Sequence, residues 1–259
     1  MQSNTKQPLI KLFGAVALAV ALGGIFIALG DDPPSANEVI AILSKGNARF
    51  AAGKPEYPHE GAARRSETAR GQHPIATVIS CSDSRVPPEI LFDEGIGDLF
   101  IVRVIGNIGS VDETGSAEYG VEHLGTPLLV VLGHTQCGAV TAAVTHAEVH
   151  GSIPPLLSHI NPSVRTARHE HPGLNGDQLI DEAVKTNVFH SIQELFTRSR
   201  IIRERIHDGK LKVVGAIYDI NSGQVNWLGE HPKQKQILSH AGKAHHTAAG
   251  KAASNKRQP

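Results

Sequence analysis

Ile75-Ala76-Thr77-Val78-Ile79-Ser80-Cys81-Ser82-Asp83-Ser84-Arg85-Val86-Pro87 is the stretch that decides the fold. A short run rich in β-branched residues ends at a cysteine, and small polar residues follow. Such a bounded apolar run predicts a strand buried on both faces, as in a parallel sheet. The pattern recurs. Leu99–Ile105 predicts a second strand, ended by Gly106-Asn107. Pro127–Gly133 predicts a third, delivering His134-Thr135-Gln136-Cys137-Gly138. Leu211–Ile220 predicts a fourth, and Asn221-Ser222-Gly223 turns it into an antiparallel edge at Gln224–Leu228.

Helical patterns fill the intervals. Ser35-Ala36-Asn37-Glu38 offers an N-cap and a first-turn acid. Pro87-Pro88-Glu89 starts a turn toward Phe92, and Thr114–Leu124 reads as a helix closed by Gly125. Gly138–His150 reads as a helix, as does Asp181–His207 with a break near Thr197–Ser199. Residues 151–172, rich in Pro and His, read as irregular. The fold class expected is α/β: a single domain with a central, mostly parallel four-stranded sheet, an antiparallel edge strand and flanking helices.

Both cysteines of the chain stand at strand ends, where α/β sheets gather ligands. Cys81 has Asp83 two residues on; Cys137 has His134 three residues back. Cys81, His134 and Cys137 make an S₂N set suited to one zinc ion per chain, with Gly133 and Gly138 permitting tight backbone at the second loop. Asp83 has two open roles. It is a fourth ligand, or it pairs with Arg85 and leaves the fourth position to water. Two thiolates damp the charge of a metal, and the Asp83–Arg85 pair is the device expected to offset that.

The 259 residues carry no net charge and few aromatics, which argues against a nucleic-acid partner. Lys6 and Lys11 precede the apolar stretch Leu12–Leu29, with Ala28-Leu29-Gly30 before Asp31. Residues 1–30 therefore read as a cleaved export signal or a retained membrane anchor. Either places residues 31–230, the catalytic domain, in a periplasmic or secreted setting, soluble or held at the inner membrane. His231–Pro259 has six Lys or Arg and no acid, and reads as a disordered basic tail. Export leaves a competing reading, a Cys81–Cys137 disulfide in a non-catalytic protein. It explains neither Asp83 nor His134. His146, His150, His159, His169 and His171 crowd one region and read as exposed.

Cys81–Pro87 together with His134–Val140 resembles the β-class carbonic anhydrases. Asn47-Ala48-Arg49-Phe50 with Gly53 resembles that family's N-terminal helical arm. Phe100-Ile101-Val102-Arg103, Gly106-Asn107, Ala117–Val121, Ile153–Leu157 and Val213–Asp219 fit as well. The resemblance covers roughly residues 35–228. It implies reversible, zinc-dependent hydration of carbon dioxide to bicarbonate and a proton, with ligands at Cys81, His134 and Cys137 and a dyad at Asp83 and Arg85. It implies a homodimer, often paired into tetramers, whose substrate pocket falls on Gln72, Phe100, Ile105, Tyr119 and the backbone of Gly138. Where the family often has Asn after the strand-two Arg, this chain has Val104. Val78 stands where a bicarbonate-regulated subgroup carries Trp, which favours the form with Gln72 in the pocket. A related substrate, carbon disulfide or carbonyl sulfide, is the alternative for the same site.

Overall fold

Val78 and Ile79 point to opposite faces of one strand, and both are fully buried. In the computed structural model, which describes residues 33–240, this strand is β1 (Ala76–Ser80). Beside it lie β2 (Leu99–Arg103), β3 (Leu128–His134), β4 (Lys212–Tyr218) and β5 (Val225–Gly229). The order is β2-β1-β3-β4-β5, parallel from β2 to β4 and antiparallel at β5. This is the sheet the sequence predicts: four parallel strands and one antiparallel edge. His134 extends β3 by one residue, in register with Tyr218.

Helices cover both faces, which is why the inner strands read as unbroken apolar runs. They are α1 (Ala36–Ala51), α2 (Ala62–Thr68), α3 (Pro88–Leu91), α4 (Val111–Glu118), α5 (Gly138–Thr145), α6 (Ile153–Ser158), α7 (Asn161–Glu170), α8 (Gly176–Arg198) and α9 (Arg200–His207). On one face, Val39 and Leu43 of α1 join Leu91 and Phe92 over Val78, Val130 and Val214. On the other, Val188, Ile192, Leu195 and Phe196 of α8, with Ile202 of α9, cover Ile79, Val131 and Val213. Ser35 and Glu38 cap α1 reciprocally, as their spacing predicts. Asn47 ties α1 down by donating to the carbonyls of Leu91 and Gly223 while accepting from Val225 N–H.

Several boundaries differ from the sequence reading. Residues 151–172 are mostly helical, as α6 and α7. Their prolines sit in first turns, where a missing N–H costs nothing. The α5 helix stops at Thr145 because His146 caps it in the left-handed region (φ 52°). The α8 helix begins at Gly176 rather than Asp181, and Ser199 supplies the predicted break by capping α9. The α4 helix ends at Glu118 and passes into a wide turn at Tyr119–His123.

The predicted disordered tail is corrected at its start. Residues 234–240 are helical, Ile237 and Leu238 pack against the α8 layer, and His231 meets Phe189 edge-on at 5.4 Å. Apolar contact outweighs the basic composition there. The rest of the tail and the candidate signal or anchor at residues 1–30 lie outside the described residues. Among the described residues no helix is long and apolar enough to cross a membrane.

Candidate metal centre

Two strand ends and one helix start converge on a buried point. β1 ends at Ser80 and delivers Cys81; β3 ends in His134; Cys137 caps α5. The Sγ atoms of Cys81 and Cys137 and a ring nitrogen of His134 lie within 4.8 Å of one another, and all three residues are buried. The sulfurs are unbonded, which removes the disulfide reading.

The donor set fits a zinc ion. His134 Nδ1 bonds the Thr135 carbonyl, which fixes the ring and turns Nε2 inward. That Nε2 is fully buried and has no hydrogen-bond partner among the described residues, a costly state for a polar atom unless a cation accepts its lone pair. The thiols point the same way. The bond from the Cys137 thiol is the chief cause that holds Cys81 below the usual thiol range, helped by the amides of Gly106 and Asp83, which donate to its sulfur. Cys137 is pushed up by its proton's bond to Cys81, by burial and by the charge beside it. Two adjacent buried sulfurs oppose each other's ionisation, and a divalent cation bound between them would relieve that opposition.

Asp83 is not part of this cluster. Its Oδ1 accepts from Arg85 Nε at 2.9 Å and from the Arg85 amide at 3.0 Å; its Oδ2 accepts from Arg85 Nη2 at 2.8 Å. The guanidinium holds the Asp83 carboxyl far below the usual range. Of the two roles open to Asp83, this is the paired one, and the fourth-ligand role is not the arrangement present. The loop is braced by Arg103, whose Nε donates to the Cys81 carbonyl at 3.2 Å and whose Nη2 donates to the Asp83 carbonyl at 2.7 Å.

Close packing decides two glycines. A Cβ on Gly133 would lie 2.7 Å from Val188 Cγ2, so the residue before His134 must be small where α8 crosses β3. Gly106 has φ +71°, which lets its N–H donate to Cys81 Sγ at 3.3 Å. The same need expected at Gly138 is absent: a Cβ there would meet nothing within 4 Å.

The residues expected to form a substrate pocket do not close one within a single chain. Phe100 and Tyr119 do meet, with ring centroids 5.8 Å apart, on the open β2 edge. Phe100, however, is in register with Thr77. That places it about 13 Å below Cys81 at ~3.3 Å per strand residue. Ile105 and Tyr119 are 41% and 47% exposed, and Gln72 and Gly138 are exposed too. A groove of about 370 Å³ between α7 and α8, lined by His171, Phe189, His190 and His231, contains none of the expected site residues. His146, His150, His169 and His171 are exposed as expected; His159 is half-buried.

Reading the sequence missed what holds the loops. Arg103 closes the Phe100–Arg103 motif, but nothing in the motif marks the carbonyls its side chain reaches. Gly106 and Thr135 act through backbone atoms, which leave no side-chain signal.

A family model described as carbonic anhydrase matches residues 76–225. The chain is 39% identical over 198 residues to carbonic anhydrase 2 of Mycobacterium tuberculosis (strain CDC 1551 / Oshkosh), covering 74% of this chain and 93% of that protein. Among solved structures it resembles the β-carbonic anhydrase CafA of Aspergillus fumigatus, with TM-score 0.61, 27% identity, and 80% and 97% of the two chains covered. It also resembles tetrameric β-carbonic anhydrases of Sordaria macrospora, with TM-score 0.57, 29% identity, and 74% and 98% covered.

Proposed function

This chain belongs to the β-class carbonic anhydrases, lyases that hydrate carbon dioxide reversibly to bicarbonate and a proton, and from that premise we propose how its own residues serve the reaction. Cys81, His134 and Cys137 hold one zinc ion per chain. Bound there, zinc supplies Lewis acidity that makes a water molecule nucleophilic near neutral pH. The unpartnered, buried Nε2 of His134 beside two sulfurs is the observation that carries this reading.

Arg85 keeps the carboxylate of Asp83 off the metal cluster. Asp83 Oδ2 accepts only one hydrogen bond and retains capacity for another, so it can accept a hydrogen bond from the reacting water and orient it. The Arg103 guanidinium fixes the loop that carries both Cys81 and Asp83, so the ligand and the dyad keep their spacing. Phe100 and Ile105 supply the apolar wall that carbon dioxide needs, and Gln72 and the Gly138 amide donate to bicarbonate.

Because Phe100 sits far below Cys81 in its own chain, its partner metal site is that of a second subunit. The functional unit is a homodimer, with tetramers built from such pairs. The apolar stretch at residues 12–29 favours action outside the cytoplasm, periplasmic or secreted, with residues 1–30 cleaved or kept as an anchor.

The test is stopped-flow carbon dioxide hydration alongside zinc stoichiometry, for wild type and Cys137→Ala. Wild type is expected to hold one zinc per chain and to accelerate hydration, and the variant to lose both. A wild type with one zinc per chain and no rate above buffer refutes the assignment.

A further inference from the structure

Asn187 is a fully buried amide in the middle of α8, far in sequence from either metal loop. Its Nδ2 donates to the Gly106 carbonyl at 2.7 Å, and its Oδ1 accepts from Ser163 Oγ at 3.1 Å. The amide's orientation follows from chemistry, since a carbonyl can only accept and must therefore face the NH₂ group. Gly106 in turn donates its N–H to Cys81 Sγ. A chain of three hydrogen bonds thus runs from α7 through α8 to a candidate zinc ligand.

We propose that Asn187 is a positioning residue for the metal centre: by pinning the Gly106 carbonyl it fixes the backbone conformation at Gly106, and with it the direction in which the Gly106 N–H meets the Cys81 sulfur. Gly106 has no side chain to hold its own backbone, and its left-handed conformation (φ 71°, ψ 22°) needs an external anchor. Ile160 and Ala139 occupy the space a Cβ would take on one side of it. Asn187 holds the carbonyl from another, and between them the N–H direction is set. An N–H bonded to a thiolate draws charge from the sulfur. A metal held by two thiolates then keeps more of its Lewis acidity. Leucine at 187 would preserve most of the volume and abolish the bond to Gly106. Ser163 serves only to orient the amide, so its loss leaves the essential bond in place.

This inference rests on the zinc reading of the Cys81–His134–Cys137 cluster. The experiment compares wild type, Asn187→Leu and Ser163→Ala. Zinc affinity is read by competition with a chromophoric chelator, and the cobalt-substituted proteins by their thiolate-to-metal charge-transfer band. N187L is expected to bind zinc roughly 10–100-fold more weakly, the range seen when outer partners of metal ligands are removed. Its cobalt band moves to lower energy, as the sulfur regains charge. Its kcat falls while KM for carbon dioxide stays unchanged. S163A keeps the wild-type band. A residue that merely stabilises the fold would lower the melting temperature and leave the band where it is. Zinc affinity within twofold of wild type and an unmoved band in N187L overturn the proposal. A wild type that takes up no stoichiometric metal overturns the zinc reading instead. If N187L does not fold, the ¹¹³Cd-loaded wild type decides: the Gly106 amide proton must couple to the metal through sulfur and resist exchange, and an uncoupled, freely exchanging amide overturns the proposal.

Discussion

Replacing Gly106 by alanine perturbs the fold and the metal loop at one atom. At φ +71°, a Cβ on residue 106 would stand 2.6 Å from Ile160 Cδ1 and 3.4 Å from Ala139 Cβ. An ordinary contact begins near 3.4 Å, so the Ile160 methyl must retreat by about 1 Å. Ile160 is fully buried and cannot turn into solvent. Overpacking of this kind costs about 1–3 kcal/mol. Left-handed backbone adds about 1 kcal/mol for a residue with a Cβ. The expected loss is therefore about 2–4 kcal/mol of stability. Moving the loop also weakens the Gly106 N–H bond to Cys81, so zinc should leave faster. The assay is urea unfolding of the zinc-loaded protein at fixed protein concentration, paired with zinc release to a chelator. Gly138→Ala is the control, because a Cβ there meets nothing within 4 Å; it should unfold within about 0.5 kcal/mol of wild type. G106A unfolding with the stability of G138A and the zinc retention of wild type would refute the reasoning.

Two further outcomes are expected. Burial, then the charge of Asp98, raises Glu94 to about 7, so its folded pKa exceeds its ordinary value of 4.5. The native state thus binds the proton more tightly, and this group's penalty is absent below pH 4.5, grows through that window and is complete above about pH 7. Glu94→Gln should therefore stabilise the protein by about 1–2 kcal/mol at pH 8, after discounting for solvent screening. The gain should vanish by pH 4.5; a gain constant with pH in urea unfolding contradicts the shift. In the second, Phe100→Ala and Cys137→Ala subunits are each inactive or nearly so. If Phe100 serves the site of a partner subunit, co-refolded mixtures form hybrids with one intact site and recover carbon dioxide hydration above the sum of the parents. Mixtures no more active than that sum place Phe100 in its own chain's site.

The strands were legible because each inner one is buried on both faces, so Val78 and Ile79, or Val130 and Val131, carry the signal without knowledge of what covers them. The metal ligands and the dyad were legible for a local reason: Cys81, Asp83 and Arg85 share one loop, and His134 and Cys137 share another. Residues 151–172 were misread because the prolines that discourage a helix interior are welcome in a first turn, and position within a helix is unknown until its start is known. Residues 231–240 were misread because the six Lys or Arg spread over residues 231–259 outweigh Ile237 and Leu238 in composition, though not in packing.

What the sequence alone determined is therefore chemistry that lies within a few residues: a parallel sheet, two thiols and an imidazole at its strand ends, and a carboxylate beside a guanidinium. What only the tertiary structure decided is how those loops are held. Arg103 grips the carbonyls of Cys81 and Asp83, and Asn187 reaches Gly106 from a helix far along the chain. The structure also gave Asp83 to Arg85 and set Phe100 at the level of Thr77, away from Cys81. The physical reason is range. A backbone carbonyl accepts from whichever donor packing brings within ~3 Å, and no residue type or spacing records that meeting.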